Sequence, residues 1–357
     1  MSMTSAAPSY TRQIAWWLVL CAAMVFVMVV LGGATRLTES GLSMVEWKPL
    51  TLTPPLGDAA WTKEFENYQH SPQFQKENSW MGVEDFKQIY WLEYLHRLWG
   101  RIIGLVFAVP FAWFLARRAV DRPLAWKLGG LFILGGAQGA LGWFMVASGL
   151  VDRPDVSQYR LAAHLFTALV LYALLIWTAL DLFRQTRPPA QPPTDHAFAR
   201  WCLIIAGCVL GVMVSGAFVA GLDAGKIYNT FPLMDGKLVP DDLYPLGARS
   251  PFEDIKTVQF NHRVLAITLV ALIIVTWLRA RRVTLDERAR KLAHALLAVA
   301  VAQASLGIST LLTVVNIELA LSHQTVALTL FTFALCLAHA ARPNSVAVTA
   351  AALHPAE

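Results

Sequence analysis

The chain has 357 residues, of which 56% are hydrophobic and only 15% charged, and its mean hydropathy is +0.49. That balance exceeds ordinary globular usage and argues against a soluble two-domain protein, since burial in lipid accounts better for the apolar excess. The net charge of +5 does not point to nucleic acid, because the basic residues sit in short segments between apolar runs, where they set membrane orientation.

Runs of about twenty apolar residues, the number that crosses ~30 Å of hydrocarbon at 1.5 Å per residue, occupy 14–34, 95–116, 125–147, 161–182, 201–220, 261–279, 291–312 and 320–341. They predict an all-α integral membrane protein with eight transmembrane helices. The first run is long enough to span and passes straight into a polar segment, so it reads as a retained helix and not as a cleaved signal. Segment 36–94 follows, with Trp47, Trp61, Trp80 and Trp91 among its prolines, a composition that suits an ordered cap on the membrane interface. After the fourth run, Pro188, Pro189, Pro192 and Pro193 read as a stiff linker. This linker, 186–200, separates an N-terminal half, 1–185, from a C-terminal half, 201–357.

Lysine and arginine set the expected orientation. Connections 117–127, 183–200 and 279–291 hold thirteen basic residues in 42 positions, whereas 36–94, 148–160, 221–260 and 313–319 hold eleven in 119. Both termini are therefore expected in the cytoplasm. Cys21, Cys202, Cys208 and Cys336 all lie inside apolar runs, with no CxxC or loop pair, and read as packing residues.

The halves repeat. Gly32–Gly41 (GGATRLTESG) aligns with Gly216–Gly225 (GAFVAGLDAG), which pairs Glu39 with Asp223. Gln138–Gly142 (QGALG) aligns with Gln303–Gly307 (QASLG), His96-Arg97 with His262-Arg263, and His164 with His323. Landmarks in the same order predict two four-helix bundles, and an even number of spans per half relates them by a pseudo-twofold axis along the membrane normal. Corresponding sites then lie at one depth.

His96, His164, His262 and His323 fall in the first turn or so of spans two, four, six and eight, all of which start on the outer side. His70, His196, His294, His339 and His354 have no repeat counterpart and are assigned no role. An ionisable residue within a membrane helix is costly and marks function by default. Any one of the four reads equally well as an interfacial histidine bonded to a carbonyl or water; four matched in pairs point to ligation. Neutral imidazole is a good iron ligand, and two from facing helices fill both axial positions of a haem. Tetrahedral zinc would need all four on one point. The expected pairs are His96 with His164 and His262 with His323, one haem per half, with Gly104, Gly135, Gly136 and Gly139 leaving room for a flat porphyrin. Ligands on one side only argue against electron conduction across the membrane.

The two sites are not equivalent. Glu93 stands three residues before His96, where Gln259 stands before His262, and positions i and i+3 share a helix face. A carboxylate near a porphyrin edge can stabilise developing positive charge or accept a proton, which a site for electron storage does not need. The competing reading is a cap at the positive end of the helix dipole. Arg97 and Arg263 point about 100° away from their histidines and suit either haem propionates or anchoring of the helix at the interface.

Gly32–Trp47 (GGATRLTESGLSMVEW), Glu93–Arg101 (EYLHRLWGR), Tyr228–Pro240 (YNTFPLMDGKLVP), Phe260–Arg263 (FNHR) and Ser322–Gln324 (SHQ) closely resemble haem A synthase, in the form shared by alphaproteobacteria and mitochondria. The resemblance covers nearly the whole chain. It implies an eight-helix bundle with pseudo-twofold halves in a bacterial inner membrane, its haem sites toward the periplasm. The implied reaction oxidises the position-8 methyl of haem O to the formyl group of haem A by two hydroxylations, the second giving a geminal diol that loses water. Carried over by residue, His96 and His164 would hold haem O as substrate, His262 and His323 a resident bis-histidine haem b that passes electrons, and Glu93 would be the catalytic carboxylate. Implied partners are haem O synthase, cytochrome oxidase assembly factors, an electron-transfer partner and a second copy of the chain. Some members carry a cysteine pair in an external loop; this sequence has no loop cysteine, so a thiol relay is not available. The rival readings are a di-haem electron-transfer cytochrome and a non-catalytic haem chaperone for oxidase assembly. Neither needs the difference between Glu93 and Gln259.

Overall fold

A computed structural model describes residues 8–46, 53–149, 156–186 and 195–342. Trp47, the four linker prolines and His354 lie outside them. Eight long helices carry the chain: α1 (Pro8–Leu37), α3 (Val83–Ala116), α4 (Arg122–Gly149), α5 (Gln158–Gln185), α6 (His196–Gly221), α8 (Ile255–Ala280), α9 (Glu287–Leu312) and α10 (Ile317–Ala340). A short α2 (Asp58–Gln69) and the one-turn α7 (Ser250–Glu253) lie between them. All eight long helices are long and apolar enough to cross a membrane, and no strand occurs among the described residues. Helices suit lipid because each backbone N–H and C=O is satisfied within its own segment. Asp195, Asp254, Asp286 and Asn316 accept from backbone N–H groups in the first turns of α6, α8, α9 and α10, which marks where those helices start.

Helices α1, α5, α6 and α10 pack side by side at the centre. On one flank α3 and α4 close a ring with α1 and α5; on the other, α8 and α9 close a ring with α6 and α10. Exchanging the first four spans for the last four maps this neighbour pattern onto itself, which is compatible with two bundles related by a pseudo-twofold axis. Burial follows the same plan. In α1, 50% of the most apolar stretch is buried within the protein, against 6% in α4. Leu105, Val109, Ile133 and Ile267 on the flanking helices are exposed, as lipid contact allows.

In lipid no hydrophobic force draws helices together, so close approach and polar ties hold the halves. A Cβ on Gly221 of α6 would lie 2.7 Å from the Cα of Gln158 on α5. Gln324 of α10 sits over Gly33 of α1 and donates to the Val29 carbonyl at 2.6 Å. Arg36 reaches across to the Ala220 carbonyl at 2.8 Å and to Asp223 at 3.3 Å. At the other end of the bundle, Asp181 of α5 accepts from His339 at 3.0 Å and Arg342 at 2.8 Å, with Lys127 of α4 at 3.8 Å. His339, for which the sequence suggests no role, is thus a buried tie between α5 and α10. The four cysteines are free; Cys21 and Cys202 are buried, Cys208 and Cys336 half-buried.

Helix α3 starts at Val83, well before the apolar run at 95, because Gly82 and Asp85 form its cap and its polar outer turns pack on the preceding segment. There Trp61, Phe65 and Tyr68 of α2 meet Phe86, Ile89, Tyr90 and Tyr94 of α3, and Tyr68 stacks on Phe86 with centroids 5.1 Å apart. Burial pushes the Tyr68 hydroxyl up to about 12. It therefore stays protonated, donating to Gln73 Oε1 at 3.0 Å while accepting from Asn78 Nδ2 at 2.8 Å. Gln73 in turn donates to the Glu39 carbonyl at 2.7 Å. The segment is an ordered cap clamped to α3, with Trp61 buried in it and Trp80 and Trp91 exposed.

Phe86→Ala removes the ring at the centre of this cluster and is expected to destabilise the cap by about 3–5 kcal/mol. Limited proteolysis in detergent should then cut within 53–82 faster than in the wild type while the spans stay intact; an unchanged rate would mean the aromatic cluster does not hold the cap.

Candidate functional site

The four histidines lie deeper than the first turn expected from the apolar runs. His164, His262 and His323 fall about two turns into α5, α8 and α10, and His96 lies further into the extended α3. Helices α7 and α8 together occupy the register of α3, broken by extended backbone at Asp254. His96 of α3 and His164 of α5 lie on helices that both pack on α1, and His262 of α8 and His323 of α10 on helices that both pack on α6. Among the described residues no group of three or more His, Cys, Asp or Glu side chains forms a metal cage.

Each imidazole sits on a glycine of a neighbouring helix. A Cβ would lie 3.4 Å from His96 Nε2 if added to Gly32, and 3.0 Å from His164 Cε1 if added to Gly142. The corresponding distances are 3.2 Å from His262 Cε1 at Gly216 and 2.7 Å from His323 Cε1 at Gly307. The sequence aligns these four glycines as repeat landmarks without revealing what they are for; a side chain at any of them would crowd a histidine.

Polar neighbours complete each pair. Gln138 of α4 donates to the His164 carbonyl at 2.9 Å and lies 3.1 Å from His164 Nδ1. Its counterpart Gln303 of α9 lies 3.4 Å from His323 Nε2. Oε1 of both glutamines and Nδ1 of His323 are buried without a partner among the described residues. Ser215 Oγ of α6 lies 2.6 Å from His262 Nδ1.

Glu93 is 2% exposed. Its Oε2 accepts from Ser43 Oγ at 2.7 Å and from the Met44 N–H at 2.8 Å, and its Oε1 accepts from Arg97 at 2.5 Å. Because the first turn of α3 holds Glu84 and Asp85 instead, Glu93 is not the helix cap. Arg97 also donates to the Met44 carbonyl at 3.0 Å. In the other half Gln259, also 2% exposed, donates to the carbonyls of Ala224 at 2.9 Å and Tyr228 at 3.2 Å, and accepts from Arg263 at 3.2 Å. Arg263 donates to the carbonyls of Tyr228 at 2.6 Å and Thr230 at 2.8 Å.

One scaffold is thus built twice with different chemistry. Aligning Gly32 on Gly216 makes Met44 and Tyr228 counterparts, and the paired Glu39 and Asp223 share left-handed backbone, with φ of 55° and 50°. One loop presents a hydroxyl and an N–H to a carboxylate; the other presents carbonyls to an amide. The counterpart of Ser43 is Ile227, which has no hydroxyl. Both arginines tie a helix to its loop, and Nε of Arg263 is buried without a partner among the described residues.

Residues 15–335 match the model of a family described as cytochrome oxidase assembly protein. The chain is 49% identical over 349 residues to the haem A synthase of Nitrosospira multiformis, covering 95% of this chain and 98% of that one. It is 48% identical over 332 residues to the haem A synthase of Paramagnetospirillum magneticum, with coverage of 92% and 93%. Against the haem A synthase of Arabidopsis thaliana the identity is 43% over 355 residues, 96% of this chain and 78% of the relative.

Gly307→Ala places a methyl against His323 and is expected to weaken haem retention at that site by about tenfold. Gly130→Ala, where a Cβ meets no atom within 4 Å, should leave it unchanged. Pyridine haemochrome absorbance per polypeptide reads both, and equal retention in the two variants would remove the glycine seat from the argument.

Proposed function

The chain belongs to the cytochrome oxidase assembly protein family that includes the haem A synthases, and from that premise we propose that it converts haem O to haem A. The reaction oxidises the position-8 methyl of the substrate to a formyl group by two successive hydroxylations. The observation that carries this reading is the duplicated scaffold with a carboxylate in one half only: Glu93 and Ser43 against Gln259 and Ile227.

The residues present fit a haem in each half. Each half holds two imidazoles, each seated on a glycine of a neighbouring helix, on helices that pack on a shared central span. The buried Nε of Arg263, without a partner among the described residues, is a donor of the kind a propionate satisfies; Arg97 is its counterpart. In this reading His96 and His164 hold haem O, and His262 and His323 hold a resident haem b. When bound, haem b supplies electron transfer.

Glu93 precedes His96 by about one turn of α3, on the outer side of the first histidine pair. Ser43, the Met44 N–H and Arg97 hold both of its oxygens, so its charge is already oriented when positive charge develops beside it. The carboxylate stabilises that charge and takes up the proton released. Gln259 has a similar anchorage without charge, as suits a site that only stores and passes electrons. Enclosure in an apolar bundle keeps bulk water from the reacting carbon. The distribution of lysine and arginine supports cytoplasmic termini and haem sites toward the periplasm of a bacterial inner membrane. Haem O synthase, oxidase assembly factors and an electron-transfer partner are the partners this reading calls for, and a second copy of the chain is compatible with it.

Pigments extracted after expression with a haem O source test it. Wild type is expected to yield haem A or its hydroxylated precursor beside haem b; haem b alone would favour a di-haem cytochrome or a haem chaperone. Glu93→Gln should keep its haem and lose the formyl product, and full turnover would remove Glu93 from catalysis. His262→Ala is expected to lose haem b.

A further inference from the structure

His262 differs from its counterpart His96 in what stands behind the ring. Ser215 Oγ lies 3.0 Å from the Val212 carbonyl and 2.6 Å from His262 Nδ1. A hydroxyl has one proton and a carbonyl can only accept; with that proton on Val212, Oγ accepts from Nδ1–H. That arrangement puts the His262 proton on Nδ1 and its lone pair on Nε2, the nitrogen then available to iron. In the repeat, Leu31 occupies the place of Ser215 and offers no acceptor. No hydrogen bond reaches the His96 ring from the described residues.

At the other two histidines no hydroxyl of the described residues stands behind Nδ1. At His164 the neighbour of Nδ1 is an amide N–H donor, whose orientation is set by its second bond to the His164 carbonyl. At His323, Nδ1 has no partner among the described residues.

An Nδ1–H···O bond orients a ligating imidazole and strengthens electron donation from Nε2. We propose that Ser215 is a positioning residue that makes His262 the firmest of the four ligands, so that the C-terminal site keeps its haem while the N-terminal site lets its haem exchange. This rests on the haem assignment above and deepens it, giving a physical reason why one haem stays and the other passes through.

The test uses full-length haem-loaded protein carrying Ser215→Ala or Ser215→Thr. Two quantities are measured: the midpoint potential of haem b, and the rate at which it transfers to apomyoglobin. Ser215→Ala should release haem b about tenfold faster and raise its potential, because weaker donation favours the ferric state less. Ser215→Thr, which keeps the hydroxyl, should restore both. Wild-type potential and release rate in Ser215→Ala would overturn the proposal, as would equal changes in the two variants. Neither readout depends on haem A formation, so the proposal can fail while the enzymatic reading stands. Retention of haem b at its wild-type potential in His262→Ala would instead overturn the ligand assignment, and the role of Ser215 with it.

Discussion

An imidazole inside an apolar membrane bundle needs room and polar company, since an unsatisfied polar group in that setting costs several kcal/mol. Here the next helix supplies room to all four histidines and a polar neighbour to three of them. Gly32, Gly142, Gly216 and Gly307 provide the space, while Gln138, Ser215 and Gln303 provide polar contacts. The remaining packing is arranged around these seats: four central spans bury most of the internal surface, and the flanking pairs α3–α4 and α8–α9 complete the two rings.

Duplication explains how one fold presents two unlike sites. The turn after α1 and the turn after α6 have nearly the same backbone, down to the left-handed residue before each. An arginine one turn beyond Glu93 or Gln259 secures both. On this constant frame only side chains change. Carboxylate with hydroxyl becomes amide with an apolar residue, and leucine behind one histidine becomes serine behind the other. Neither change alters the backbone plan, so the charge and polar chemistry of the two halves differ without disturbing the bundle.

The outer cap belongs to the same logic. Ser43 and Met44 must be held rigidly for their donors to meet Glu93, and they sit between the end of α1 and a cap fixed by stacked aromatic rings and by Gln73 on the Glu39 carbonyl. An aromatic cluster in water has the hydrophobic driving force that the helices in lipid lack. The stable cap therefore supplies positional order to a carboxylate at the head of the membrane-buried site.

The sequence by itself determined the eight spans and displayed the repeat with its four matched histidines, because span length and matched landmarks are local or periodic properties of the chain. It also singled out Glu93 against Gln259. It left open whether Glu93 was a cap, because hydropathy marks where a helix enters lipid and not where its polar outer turns begin; Val83 as the start of α3 settled that. Only the tertiary structure decided that the repeat glycines are seats for imidazoles, that Ser43 and Arg97 orient the carboxylate, and that Ser215 stands behind His262. Most of these contacts join residues far apart in the chain, and the packing of one helix on another selects them.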